Sequence, residues 1–235
     1  MKQSVLLLFL LLIPELAVAQ TAEEYFNKGV DKSELGDYKG AISEFNKAIE
    51  IDPSDPKAYY NRAVTKGELG DYKGTIADYN KAIELDPSDP KAYYNRGVTK
   101  GELGDYRGGV ADFNKAIEIN PNDANAYHNR GTVKGKLGDY KGAILDYNKA
   151  IEINPNDADA YYIRGLTKSL LADSRGAILD YNKAIELDPS DPKAYYNRGF
   201  AKLKLGQKDS GCLDLSKAGE MGQMQAYDVI KEFCQ

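Results

Sequence analysis

Small, apolar and polar residues return along this chain in a fixed phase of 34 positions. The stretch from Pro56 to Asp89, PKAYYNRAVTKGELGDYKGTIADYNKAIELDPSD, begins again almost letter for letter at Pro90, Ala124, Ala158 and Pro192, and an earlier copy begins at Ala22. Such self-similarity is the mark of a helical solenoid, in which each unit buries its small and aromatic residues only by stacking on its neighbours. In the copy that starts at residue 90, the pattern predicts one helix from about Pro90 to Leu103 and a second from about Tyr106 to Ile119. Asp89 is placed to cap the first, with Pro90 at the position where a missing N–H costs nothing. Gly104 stops it by taking a left-handed conformation cheaply. Asp105 then caps the second helix, and Asn120-Pro121 ends it, because the residue before a proline is steered away from helical angles. Each unit therefore reads as an antiparallel helix pair.

The units are 22-55, 56-89, 90-123, 124-157, 158-191 and 192-223, followed by 224-235 as a capping helix that packs Met224, Tyr227, Val229, Ile230 and Phe233. Thr21 with Glu24 forms a capping-box pattern at the head of the first unit, so a chain cleaved after Ala19 is expected to start its first helix at once. Unit five departs from the pattern at its turn, where Leu171-Ala172-Asp173-Ser174 replaces the usual Leu-Gly-Asp-Tyr. An alanine held left-handed there costs about 1 kcal/mol.

Counting places from the first residue of each unit, tyrosines stand fourth (Tyr25, Tyr59, Tyr93, Tyr127, Tyr161, Tyr195) and small residues eighth (Gly29, Ala63, Gly97 and their counterparts). Small residues also stand twentieth, an aromatic or Leu215 twenty-fourth, alanine twenty-seventh, and proline thirty-second in five units. In this the chain resembles the tetratricopeptide repeat family over residues 22 to about 223. The resemblance implies an all-α, right-handed superhelical solenoid of antiparallel helix pairs. It identifies a fold strongly and a function weakly. The fourth-place tyrosines are read as packing residues between helices.

In that family, the second, fifth, ninth and thirteenth places of the first helix resemble the lining of a groove where extended peptides lie, with the sixth place at its flank. Here the fifth place holds Phe26, Tyr60, Tyr94, His128, Tyr162 and Tyr196, an aromatic row expected to be exposed toward the groove. The sixth holds Asn27, Asn61, Asn95, Asn129, Ile163 and Asn197. An asparagine offers the donor and the acceptor needed to hold a peptide backbone whatever its sequence. The alternative is that these asparagines bridge neighbouring helices while the aromatics pack sideways. Lys57 and Lys91 at the second place complete the candidate set. At the thirteenth, Glu34, Glu68 and Glu102 give way to Lys136, Leu170 and Lys204, so the groove changes charge along its length. The family's clamp for chaperone C-termini is not reproduced, because Phe26 and Val30 stand where it has a lysine and an asparagine.

The first residues differ from all that follows. Lys2, the apolar run Val5 to Ile13, and Ala17-Val18-Ala19 ahead of Gln20 have the layout of a secretory signal peptide over residues 1-19. An uncleaved anchor is the alternative, but nine apolar residues ended by Pro14 fall short of the roughly 20 that cross a bilayer. An exported protein, periplasmic or secreted, is expected, with no integral membrane span after cleavage. Cys212 stands at a twenty-first place, held elsewhere by Ile42, Ile76, Val110, Ile144 and Ile178 and expected to be buried, and Cys234 ends the capping helix. Two cysteines in one cap of an exported chain suggest a disulfide, with two unlinked thiols as the alternative.

A net charge of −5 argues against a nucleic-acid binder. No nucleophile with a base, metal cluster or phosphate loop is present, and no cofactor is implied. His128, the one histidine, reads as a variant of the groove aromatics. The expectation is a non-catalytic module that binds an extended segment of another protein. The rival is a structural spacer that self-associates through its ends or outer face.

Overall fold

The computed structural model describes residues 21–234, so the signal-peptide expectation on residues 1–19 lies outside the described residues. Within them, thirteen helices follow one another in pairs, and there is no strand. The first helices of the units are α1 (Ala22–Glu34), α3 (Pro56–Glu68), α5 (Pro90–Glu102), α7 (Ala124–Lys136), α9 (Ala158–Leu170) and α11 (Pro192–Lys204). The second helices are α2 (Tyr38–Ile51), α4 (Tyr72–Leu85), α6 (Tyr106–Ile119), α8 (Tyr140–Ile153), α10 (Ser174–Leu187) and α12 (Lys208–Glu220), and α13 (Gln225–Phe233) closes the array. Each helix packs on the one before it and the one after it, which is the one-dimensional order of a solenoid.

The predicted boundaries hold, and the atoms show why. Asp89 accepts the Lys91 N–H at 2.9 Å, and Asp105 accepts the Gly108 N–H at 3.0 Å. Between the pairs, Gly104 sits at φ +80°. Its N–H reaches the Gly101 carbonyl while the Asp105 N–H reaches that of Lys100, the two bonds of a Schellman turn. One aspartate thus ends one helix and starts the next. Unit six loses this device: Gln207 replaces the aspartate and gives no side-chain cap to α12.

At unit five, Ala172 takes φ +60°, the one non-glycine residue at positive φ among the described residues. Ala172→Gly should therefore raise stability by about 1 kcal/mol, read as a higher urea midpoint; an unchanged midpoint would mean that Gly gains as much freedom in the unfolded chain as strain is relieved.

The core is a column of rings and alanines. The twenty-fourth-place side chains Phe45, Tyr79, Phe113, Tyr147, Tyr181 and Leu215 are at most 3 % exposed, as are the alanines beside them such as Ala41, Ala82 and Ala143. Helix and ring pack in close contact at Gly131, where a Cβ would come within 2.9 Å of the Tyr147 ring. One sequence expectation is corrected here. The twenty-first place is half-buried, Cys212 included, because that side of the second helix turns toward solvent. Cys212 and Cys234 are nonetheless brought into disulfide geometry, with Cα atoms 5.9 Å apart. They close α13 over Leu215 and Ala218, where Ala226 is fully buried and Val229 and Ile230 pack.

Candidate functional site

The first helices carry two sets of polar residues that the units use differently. The first set is a charge clasp. In unit three, Arg96 reaches Asp112 through Nε at 2.9 Å and Nη2 at 2.6 Å, and Lys100 reaches the same carboxylate at 2.8 Å. The other Arg96 Nη crosses to Asn80 of the preceding unit at 2.7 Å, and the guanidinium lies over the Tyr93 ring. The same arrangement recurs around Asp78, Asp146, Asp180 and Asp214, each buried. In unit one Glu44 stands in, its carboxyl held below the usual range by the bond from Lys32, with burial opposing. These charges are structural: each carboxylate is fully engaged, and the arginine ties one unit to the next. The fourth-place tyrosines pack as expected, as the floor beneath the arginines.

The second set is the candidate groove, and here the alternative reading prevails for the asparagine amides. Asn95 donates to the Tyr60 hydroxyl at 2.8 Å, Asn129 to Tyr94 at 2.8 Å, and Asn197 to Tyr162 at 3.1 Å, each bond crossing from one unit to the one before. Asn61 faces Phe26, which has no hydroxyl, and turns its amide to the Lys57 carbonyl instead. The fifth-place aromatics are half-buried rather than exposed, and in units one to five each leans on the core ring of its own unit, as Tyr60 does on Tyr79 at 5.7 Å. The ladder is also missing between units four and five, where His128 meets Ile163; His128 packs on Tyr147 and approaches Asp159 at 3.5 Å. Tyr196 lies under the cap, Phe26 rests on Phe45, and Asn27 is exposed.

The donor role assigned to the asparagines is thus largely taken up inside the array, because a tyrosine hydroxyl one unit away is the nearest acceptor. What each Tyr–Asn pair still offers is the phenolic hydrogen and the asparagine oxygen. Burial, with the Asp89 carboxylate adding to it, pushes the Tyr60 hydroxyl above the ordinary tyrosine range, and the bond from Asn95 works against this. Tyr94 and Tyr162 follow the same pattern. All three remain protonated at neutral pH and able to donate.

The pairs stand in a row of cavities between consecutive units. One of about 380 Å³ lies between units two and three, lined by Tyr60, Val64, Glu68, Tyr79, Val98 and Glu102 among others. The next, of about 270 Å³, shares Val98 and Glu102 and adds Asn129, Thr132 and Lys136. Beside them, Lys57, Lys91 and Tyr60 line a hollow of about 330 Å³, and Lys91, Tyr94 and Asn95 another of about 390 Å³. The row therefore brings together Tyr60, Tyr94, Asn95, Asn129, Lys57 and Lys91 of the candidate set. Tyr162 lines a separate hollow of about 80 Å³. The sequence reading missed the glycines that open this space, Gly67 and Gly101 at the twelfth place, where unit five has Ser169 and unit six Leu203. No cluster of His, Cys, Asp or Glu suited to a metal ion occurs among the described residues, and no described helix is long and apolar enough to cross a membrane.

Family models described as tetratricopeptide repeat match residues 90–123, 124–157 and 146–178, and one described as TPR repeat matches 33–70, 67–104 and 175–206. No curated protein matches the chain. Among solved structures, YrrB, described as a TPR protein with an unusual peptide-binding site, is 28% identical with a TM-score of 0.70, over 80% of this chain and 97% of its own. MamA is 27% identical with a TM-score of 0.67, over 70% of this chain and 96% of its own. PilF of Pseudomonas aeruginosa aligns with a TM-score of 0.74 over 90% of this chain and 97% of its own, but at 17% identity that likeness is one of fold alone. With the repeat models together spanning residues 33–206, the chain belongs to the tetratricopeptide repeat family.

Proposed function

We propose that this chain is a non-catalytic protein-interaction module that acts outside the cytoplasm and holds an extended segment of a partner protein in the concave groove of units two to four. The observation that carries the reading is the continuity of the cavities there, which share Tyr60, Val98 and Glu102 from one joint to the next. A strand of peptide laid across them meets a phenolic donor and an amide acceptor at each joint, which suits a backbone of any sequence. The peptide-binding site named for YrrB lends support. The signal-peptide layout and a cysteine pair in disulfide geometry favour an oxidising compartment.

The test is selection of short linear random peptides on the mature chain, followed by two variants that import residues already present at equivalent places. Val98→Phe fills the groove as Phe200 does in unit six; Ala111→Leu alters the outer face as Leu145 does in unit four. Selected peptides should lose about tenfold in affinity with the first and nothing with the second. Equal losses, or none, would refute groove binding.

A structural spacer is the second reading, and one observation favours it. At the twenty-second place, Ser43, Ala77 and Ala111 give way to Leu145, Leu179 and Leu213, which are 68%, 69% and 71% exposed along the outer side of the last three units. Concentration-dependent oligomers in light scattering, dispersed by Leu179→Ser, would favour that role; a monomer at all concentrations favours the module.

A further inference from the structure

We infer that the cavity between units two and three is a receptor for a lysine or arginine side chain of the bound segment, an inference that rests on the groove reading above. Three observations converge on it. The first is an unused hydroxyl. Among the twenty-fourth-place tyrosines, Tyr147 bonds to Thr132 at 3.2 Å and Tyr181 to Ser169 at 3.3 Å, partners supplied by the ninth or twelfth place of the same unit. In unit two those places hold Val64 and Gly67, and the Tyr79 hydroxyl has no hydrogen bond among the described residues although the residue is 97% buried, at 3% relative exposure. Tyr79 lines the cavity. No fully buried side-chain N or O lacks a partner among the described residues, so the small exposure that Tyr79 keeps includes its hydroxyl, which stands at the cavity wall free to bond an occupant.

The second is a pair of carboxylates placed against local preference. Glu68 and Glu102 are the last residues of α3 and α5, where the helix dipole disfavours an anion and favours the lysines found there in units four and six. Neither forms an ion pair among the described residues, because the neighbouring Lys66 and Lys100 are engaged with Asp78 and Asp112. By contrast, Glu84 and Glu118 on the second helices each pair with a lysine. The third is shape. Val64 and Val98 give the cavity an apolar wall and Gly67 opens it to about 380 Å³, room for the methylene stem of a long basic side chain whose head reaches the carboxylates and the Tyr79 oxygen. An acidic or neutral occupant leaves two carboxylates facing it without charge compensation, so charge complementarity selects the basic one.

The experiment is the peptide selection above, run on four forms of the chain. On the native chain, selected peptides should be enriched in Lys or Arg at one position. Glu68→Gln with Glu102→Gln should abolish that enrichment, and Glu68→Lys with Glu102→Lys should replace it with Asp or Glu. Tyr79→Phe, a residue that units one and three already hold at this place, should weaken a selected lysine peptide about threefold while leaving the urea midpoint unchanged or higher, an outcome that a purely structural hydroxyl does not give. Enriched peptides without a basic residue, or basic peptides retained by the double-glutamine form, would overturn the inference while leaving the groove reading in place. No enriched peptide at all would overturn both.

Discussion

Asp112→Ala should lower the stability of the array by about 3 kcal/mol, a loss large for one side chain. The carboxylate is 4% exposed and receives three short bonds, two from Arg96 and one from Lys100. Its removal leaves two cations, 15% and 20% exposed, with no counter-charge in a packed joint. Because each unit contacts only its neighbours, a lesion in unit three uncouples the two halves of the solenoid as well as loosening one pair. Arg96→Met and Lys100→Met combined with Asp112→Leu, which replace all three charges by apolar bulk, should recover much of the loss, since what hurts is an orphaned buried charge rather than the missing pair. Urea titrations followed by circular dichroism read both. A single alanine variant as stable as the native chain would mean that water reaches Arg96 freely and the clasp is ornamental.

Reduction of the cysteine pair should release the cap. Cys212 and Cys234 are 22 residues apart, and closing a loop of that size contributes about 3 kcal/mol. Neither α12 nor α13 has a side-chain N-cap, so α13 depends on Ala226, Val229 and Ile230 packing over Leu215 and Ala218, and on that link. Cys212→Ala with Cys234→Ala should therefore show an early unfolding transition, about 3 kcal/mol less stable, that the native chain shows only with reductant. Intact mass after alkylation without reductant checks the linkage itself: free thiols in the native chain would refute it. Coincident transitions with and without reductant would show that packing alone holds the cap.

The helix ends were readable because Asp, Pro and Gly recur in phase, and each has one cheap backbone role. The strain at Ala172 was readable for the same reason. The clasp was not read, although its signal was present as Arg at the seventh place, Lys at the eleventh and Asp at the twenty-third in five units. Charges on a helix usually mean a solvated face, and only the packed structure shows that these three meet across the two helices of a pair. Whether the asparagines bridge neighbouring helices, one of the two alternatives, was not legible in the sequence. Tyr60 and Asn95 lie 35 residues apart, so their bond joins adjacent units and cannot be seen within one. The half-burial of the twenty-first place was missed because Ile and Val there suggest a core, while the exposed twenty-second place beside it puts them at the edge of the buried stripe.

The central claim is that the concave side of units two to four is the binding face, and methyl spectra of the valine- and leucine-labelled chain test it most directly. On titration with a selected peptide, the methyl signals of Val64 and Val98 should move while those of Leu145, Leu179 and Leu213 on the outer side stay in place. Movement of the three leucines with Val64 and Val98 unchanged would contradict the account.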